Sequence, residues 1–129
     1  ILDDRLRVAE AAGVPRERLV VDPGIGFGKT VEHNLEILRR QADLLALGRP
    51  LLLGFSRKAF LGRVLGGLPP EERLEATLAA AVLAVERGAH ILRVHDVGPV
   101  ARAVRAAEAV LGAVPPGPAA AEGRPGHVR

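Results

Sequence analysis

The sequence is 129 residues long, 48% apolar and 26% charged, with a net excess of three positive charges. That balance fits a soluble globular chain and excludes fibrous classes. The apolar runs fall far short of the ~18 residues a membrane-spanning helix needs, and the arginines are scattered among Glu and Asp rather than gathered into a nucleic-acid-binding stripe.

The chain contains no cysteine, which rules out a disulfide framework and thiolate metal sites and agrees with a reducing, cytoplasmic setting. It starts at Ile1, has no methionine and shows no signal-peptide pattern, so it is expected to be a piece of a longer protein.

Taken in order, residues 1–12 place Leu2, Leu6 and Ala9 on one helical face, with Gly13 following as a C-terminal cap. Residues 18–21 form a short apolar run that predicts a strand, and residues 22–30, DPGIGFGKT, are too rich in glycine for either periodic structure. A helix is predicted over 31–47 from the spacing of Val31, Leu35, Leu38 and Leu45, closed by Gly48. The same order then repeats. A strand over 50–53 leads into a loop over 54–58 and a helix over 70–87 carrying Leu74, Leu78, Ala81 and Val85 on its buried stripe. Pro70, Glu71 and Glu72 suit the start of that helix. A third strand over 89–94 is followed by His95, Asp96 and a helix over 99–111 with Val100, Val104, Ala107 and Leu111 aligned. After Gly112 a Pro, Gly and Ala tail runs to Arg129 and has no pattern able to offset its chain entropy, so it is expected to be disordered.

Three strand-loop-helix units whose strands are apolar at nearly every position point to a parallel sheet covered by helices, in a closed barrel or an open doubly wound sheet. Three parallel strands alone leave two unpaired edges, so further strands are needed. In both architectures ligands bind at the carboxyl ends of the strands. Those positions hold Asp22 after the first strand, Ser56, Arg57 and Lys58 after the second, and Arg93, His95 and Asp96 at the end of the third. Any one of them alone is more simply a loop cap, a rim ion pair or an ordinary loop histidine. Their convergence from three strand ends favours a site for a polar, anionic ligand. The three phenylalanines, Phe27, Phe55 and Phe60, lie in or beside these loops and offer flat surfaces to an aromatic ring, although core packing is the plainer account of Phe60.

The glycines of the first loop do not make a nucleotide site. A phosphate-binding loop needs glycine where Pro23 stands, and a dinucleotide fingerprint beginning at Gly24 needs it at Lys29. What they do permit is close backbone approach to a planar ligand.

DPGIGFGKT from Asp22, LLGFSRKAFLG from Leu52 and RVHDV from Arg93 resemble the last three strand-end motifs of dihydropteroate synthase, in the family's order. The resemblance extends from the first helix to about Leu111. It implies an α/β fold, the (β/α)8 TIM barrel, of which this chain supplies the last three strand-helix units. Residues 1–112 would be the C-terminal part of that pterin-binding barrel and 113–129 the tail. It also implies an enzyme of folate synthesis that joins 6-hydroxymethyl-7,8-dihydropterin pyrophosphate to 4-aminobenzoate, releasing pyrophosphate and forming 7,8-dihydropteroate, with sulfonamides competing for the aminobenzoate position.

Residue by residue, the resemblance implies that Asp22 accepts hydrogen bonds from the pterin ring NH and 2-amino group. Lys58 donates to the pterin carbonyl and ring nitrogen, and Arg93 lies over the pterin face while reaching the pyrophosphate. Ser56 and Phe27 contact aminobenzoate, His95 joins Arg93 on the pyrophosphate, and Gly54 belongs to the same substrate-binding set. Asp22, Lys58 and Arg93 are the expected catalytic residues. None of these residues is expected to be a metal ligand, because the family's Mg2+ would be held by the missing N-terminal part of the barrel and by the substrate pyrophosphate. The isolated chain is therefore expected to be inactive. Phe55 occupies a variable position of the GxSRK motif.

A pterin-binding methyltransferase domain is the alternative within this fold, but it has no need of the SRK and RVHD cations. A non-catalytic barrel half is the alternative from another class, and intact Asp22, Lys58, Arg93 and His95 weigh against it. Alanine-rich faces at 76–84 and 101–109 suit close helix packing, either within one subunit or across the homodimer that the resemblance implies.

Overall fold

The computed structural model describes residues 1–112, and the tail expected over 113–129 lies outside the described residues. Helix α1 (Leu2–Ala11) buries Leu6, and the chain turns after it at Gly13 with φ 99°. A 3-10 turn over Arg16–Arg18 follows, where the expected first strand would begin. From that turn the Arg16 guanidinium bonds Glu10 and the Leu47 carbonyl.

The sheet is parallel. Strand β1 (Leu52–Leu53) pairs with β2 (Ile91–Leu92) in the register Leu52 to Ile91 and Leu53 to Leu92. Val21 bridges Leu51, also in parallel, through bonds from Val21 N to the Pro50 carbonyl at 2.9 Å and from Leu52 N to the Val21 carbonyl at 2.8 Å. The three expected strands therefore lie side by side in chain order, each shorter than its apolar run. Among the described residues the two outer segments have a neighbour on one flank only, so regular pairing is confined to the few residues facing the central strand.

The helices differ from expectation in three places. The segment over 31–47 divides at Arg40 into α2 (Val31–Arg39) and α3 (Gln41–Leu45). The cause is a long-range contact: Gln41 is fully buried and its Nε2 donates to the Ala84 carbonyl at 2.8 Å. A helix not foreseen, α4 (Ala59–Val64), buries Phe60 and Leu61 and ends before Gly66 and Gly67, both at positive φ. The helix expected over 70–87 starts as a 3-10 turn at Pro70–Glu72 and becomes α5 only at Leu74–Glu86. The last helix, α6, runs Val97–Leu111.

Alternation along the strands decides where the core forms. Val21, Leu51, Leu53 and Phe55 point to the helical side and are buried with Phe60, Leu61, Ala81, Ala84 and Val100. Small side chains on α5 let α6 pack along it. The opposite sheet face is bare: Val20 and Ile91 are 47% and 41% exposed, with Leu52 half-buried beside Ile91. Asp22, Gly54 and Arg93 continue that face past the strand ends, where the Arg93 guanidinium lies against Gly54 and reaches toward Asp22.

Candidate active site

Asp22 follows the paired Val21, and its Oδ1 accepts from Gly24 N at 2.9 Å, an aspartate-initiated turn that starts the glycine loop. The loop is braced from below. Asn34, buried in α2, accepts from Gly26 N at 2.8 Å, and Lys29 Nζ donates to the Gly24 carbonyl at 2.9 Å and the Phe27 carbonyl at 3.3 Å. Thr30 caps α2 by accepting from His33 N. Gly26 is held to glycine by its φ of 88°, and a Cβ there would come within 2.8 Å of Lys58 Cδ, so the lysine side chain would have to shift.

Lys58 crosses this loop from the second strand end. Its ammonium donates to the Ile25 carbonyl and stands 4.6 Å from the centroid of the Phe27 ring, a cation-π distance. Burial, and secondly the nearby Arg93 cation, lower the Lys58 pKa, with Asp22 acting in the opposite sense and Lys29 reinforcing the fall. Phe27 itself is 69% exposed at the loop tip, whereas Phe55 and Phe60 are core residues at 1% and 3%. Of the three rings, only that of Phe27 is available to a ligand. The other two follow the buried side of β1 and α4.

Arg93 extends from the end of β2 across the central strand. A Cβ on Gly54 would meet Arg93 Nη2 at 2.7 Å, so the missing side chain is what lets the guanidinium lie flat there. Its Nη2 reaches 3.8 Å from Asp22 Oδ2. Ser56 is buried, and its Oγ accepts from His95 N at 3.1 Å and lies 2.9 Å from His95 Nδ1. His95 Nε2 has no protein partner among the described residues. Next to this pair, Arg57 makes a two-point ion pair with Asp96, Nε to Oδ2 at 3.1 Å and Nη2 to Oδ1 at 2.8 Å. Hydrogen bonding to Arg57 holds the Asp96 carboxyl below its usual range.

All seven singled-out residues, Asp22, Phe27, Gly54, Ser56, Lys58, Arg93 and His95, thus gather at one end of the sheet. One carboxylate faces two cations, with an exposed ring above and an imidazole at the side. Such a group can hold a flat polar heterocycle by its edge and an anion by its charge. Sequence reasoning did not single out the support Asn34, and it weighed Lys29 only as part of a phosphate-loop pattern. Asn34 had a signal, because it interrupts the apolar stripe of Val31, Leu35 and Leu38.

The profile of the family described as pterin binding enzyme matches residues 1–95. The dihydropteroate synthase of Escherichia coli (strain K12) is 46% identical over 110 residues, covering 85% of this chain and 39% of that protein. The structure of Xanthomonas albilineans dihydropteroate synthase in complex with 7,8-dihydropteroate is similar at a TM-score of 0.84 and 44% identity, over 88% of this chain and 43% of that one. The dihydropteroate synthase of Thermus thermophilus, in complex with 6HMPPP, gives 0.80 at 45% identity, over 86% and 43%. This chain therefore spans about two fifths of the length of these relatives.

Proposed function

The chain belongs to the pterin binding enzyme family, and from that membership we propose that it is the C-terminal part of a dihydropteroate synthase. Its three parallel strand-helix units are the last three of a (β/α)8 barrel. The bare face bearing Val20, Leu52 and Ile91 supports this, since apolar side chains on the inner side of a barrel are covered by the remaining strands. The whole enzyme joins 6-hydroxymethyl-7,8-dihydropterin pyrophosphate to 4-aminobenzoate, acts in the cytoplasm, and binds neither nucleic acid nor membrane. No helix among the described residues is long and apolar enough to cross a membrane.

The observation that carries the reading is the meeting of Asp22, Lys58 and Arg93 at one mouth, with Arg93 laid over Gly54. Asp22 accepts from the pterin ring NH and 2-amino group, and Lys58 donates to the carbonyl and ring nitrogen. Arg93 covers the pterin face and, with His95, takes the diphosphate oxygens. Phe27 lies along the aminobenzoate ring and Ser56 near its carboxylate. The bond from the pterin methylene carbon to diphosphate oxygen breaks with its electron pair leaving on the diphosphate. The aminobenzoate nitrogen then forms the new bond to that carbon and sheds a proton. No protein nucleophile is needed. Asp22 favours the positive charge that develops on the pterin, while Arg93 and His95 favour the departing anion, so the groups act by preorganised electrostatics.

Mg2+, when bound, would supply charge neutralisation to the diphosphate. The described residues of this chain do not make a cage for it. No group of three or more His, Cys, Asp or Glu is placed to hold a metal, and both aspartates at the mouth are engaged, Asp22 by Gly24 and Arg93 and Asp96 by Arg57. Its oxygen ligands would come instead from the diphosphate and from the N-terminal part of the barrel. The α5 and α6 side leaves Leu83, Val110 and Leu111 exposed, which supports a homodimer contact there.

The test is turnover by the complete barrel. Asp22→Asn removes the negative charge at constant shape and should lower turnover by roughly 10²-fold to 10³-fold, as the loss of one transition-state electrostatic contact does. Unchanged turnover would refute the role. The present chain alone should form no 7,8-dihydropteroate, and turnover by it would overturn the need for the remaining strands.

A further inference from the structure

Two consecutive residues of the second strand-end loop grip two consecutive residues of the third. Ser56 Oγ bonds the His95 backbone and lies beside its ring nitrogen, and Arg57 holds both carboxylate oxygens of Asp96. Ser56 and His95 already carry proposed substrate contacts, whereas Arg57 and Asp96 do not.

Two features show that the second pair is there for more than local loop structure. Asp96 stands at the N-cap of α6, where an aspartate ordinarily accepts from the helix's first amides. Its side chain makes no cap bond and turns to Arg57 instead. Arg57, for its part, is the one non-glycine residue at positive φ among the described residues, at 57°, a conformation that asparagine or glycine adopts more readily than arginine. That backbone is pinned by Arg57 N donating to Thr77 Oγ1 at 3.2 Å and by Arg73 Nη1 donating to the Arg57 carbonyl at 2.7 Å. An arginine kept in an unfavourable backbone conformation, with its guanidinium spent on a carboxylate that forgoes its helix, is placed for the contact between loops.

We propose that Arg57 and Asp96 are a positioning pair, which locks the third strand-end loop to the second and so sets Arg93 and His95 opposite Lys58 at the spacing the pterin diphosphate requires. Neither residue need touch substrate. A two-point guanidinium-carboxylate contact fixes orientation as well as distance, and misplacing binding groups by about 1 Å can cost on the order of 10²-fold in rate. The proposal rests on the synthase reading given above.

The experiment uses the complete enzyme with Arg57→Asn, whose new side chain suits the positive φ, and separately Asp96→Asn. Four readouts are taken: affinity for inorganic pyrophosphate, kcat, KM for 4-aminobenzoate, and Tm. The expected result for each variant is pyrophosphate binding weakened about tenfold and kcat lowered tenfold or more, with the aminobenzoate KM within about twofold and Tm little changed. The double variant should lose no more than the single ones, because both remove the same contact. Should R57N fail to fold, D96N carries the test.

Full kcat and pyrophosphate affinity in a folded variant would overturn the pair's role, as would a loss spread evenly over all four readouts. A parent enzyme that binds pyrophosphate while the variant matches it sinks this proposal alone. A parent that binds none sinks the synthase reading with it.

Discussion

Gly54→Ala in the complete enzyme separates the geometry of the mouth from the stability of the fold. The backbone at Gly54 does not have the positive φ that excludes side chains, so alanine fits the chain itself. The added methyl would stand 2.7 Å from Arg93 Nη2, 3.2 Å from Cζ and 3.3 Å from Nε. Ordinary contact distances begin at about 3.5 Å, so the guanidinium must lift by roughly 1 Å. It can do so, being the far end of a flexible and partly exposed side chain. The lift carries Arg93 away from Asp22 and off the surface where the pterin face is to lie.

Stability should hardly change. Replacing glycine reduces unfolded-chain entropy by about 0.4–1 kcal/mol, and burying one methyl adds about 0.8 kcal/mol, which offsets the cost of moving Arg93. Activity should fall by roughly 10- to 100-fold, the usual consequence of a 1 Å displacement at a reacting centre. Steady-state kinetics beside a thermal melt reads both quantities. A G54A enzyme with full kcat/KM and an unchanged melt would show that Arg93 does not work from this position.

Three further outcomes follow from the same structure. Phe55→Ala removes a core ring that is 1% exposed and should cost about 3–5 kcal/mol by denaturant unfolding, while the kinetics of the enzyme that remains folded stay near normal. Asn34→Ala removes the buried acceptor for the exposed Gly26 N, a donor that water can then satisfy, so it should destabilise by about 0.5–1.5 kcal/mol and weaken pterin binding through the loop. The Lys58 pKa lies below the ordinary lysine value of 10.5, first through burial and then through Arg93, so pterin binding that uses the Lys58 ammonium should decline on the alkaline side before free lysine titrates. The K58R enzyme should lose that limb. For stability the sign is opposite: the folded chain releases this proton before the unfolded chain does, so the Lys58 contribution rises with pH between the lowered pKa and 10.5. A pH profile unaffected by K58R would remove Lys58 from the account.

What the sequence made legible was what depends on local order. Glycine after a helix, apolar periodicity and polar residues just past a strand are properties of neighbours, and they placed Asp22, Lys58, Arg93 and His95 at one end of a parallel sheet. The remainder depends on partners far along the chain. The break at Arg40 follows from Gln41 reaching Ala84, and the short first strand from its having one neighbour. Phe55 lies beside a polar loop in sequence, yet strand alternation turns it into the core. Arg57 and Asp96 each read as rim charges, and only folding across 39 residues makes them a pair. Helix α4 was missed because a six-residue helix containing Gly62 leaves too short a periodic trace between two loops.

The proposed function requires Asp22 to receive the pterin edge while Lys58 and Arg93 bind beside it. Calorimetric binding of 6-hydroxymethyl-7,8-dihydropterin pyrophosphate to the complete enzyme and to its Asp22→Asn variant tests this most directly. Replacing the carboxylate should weaken binding by at least tenfold, the value of about 1.4 kcal/mol that a charged hydrogen bond readily exceeds. Equal affinities in two equally folded proteins would contradict it.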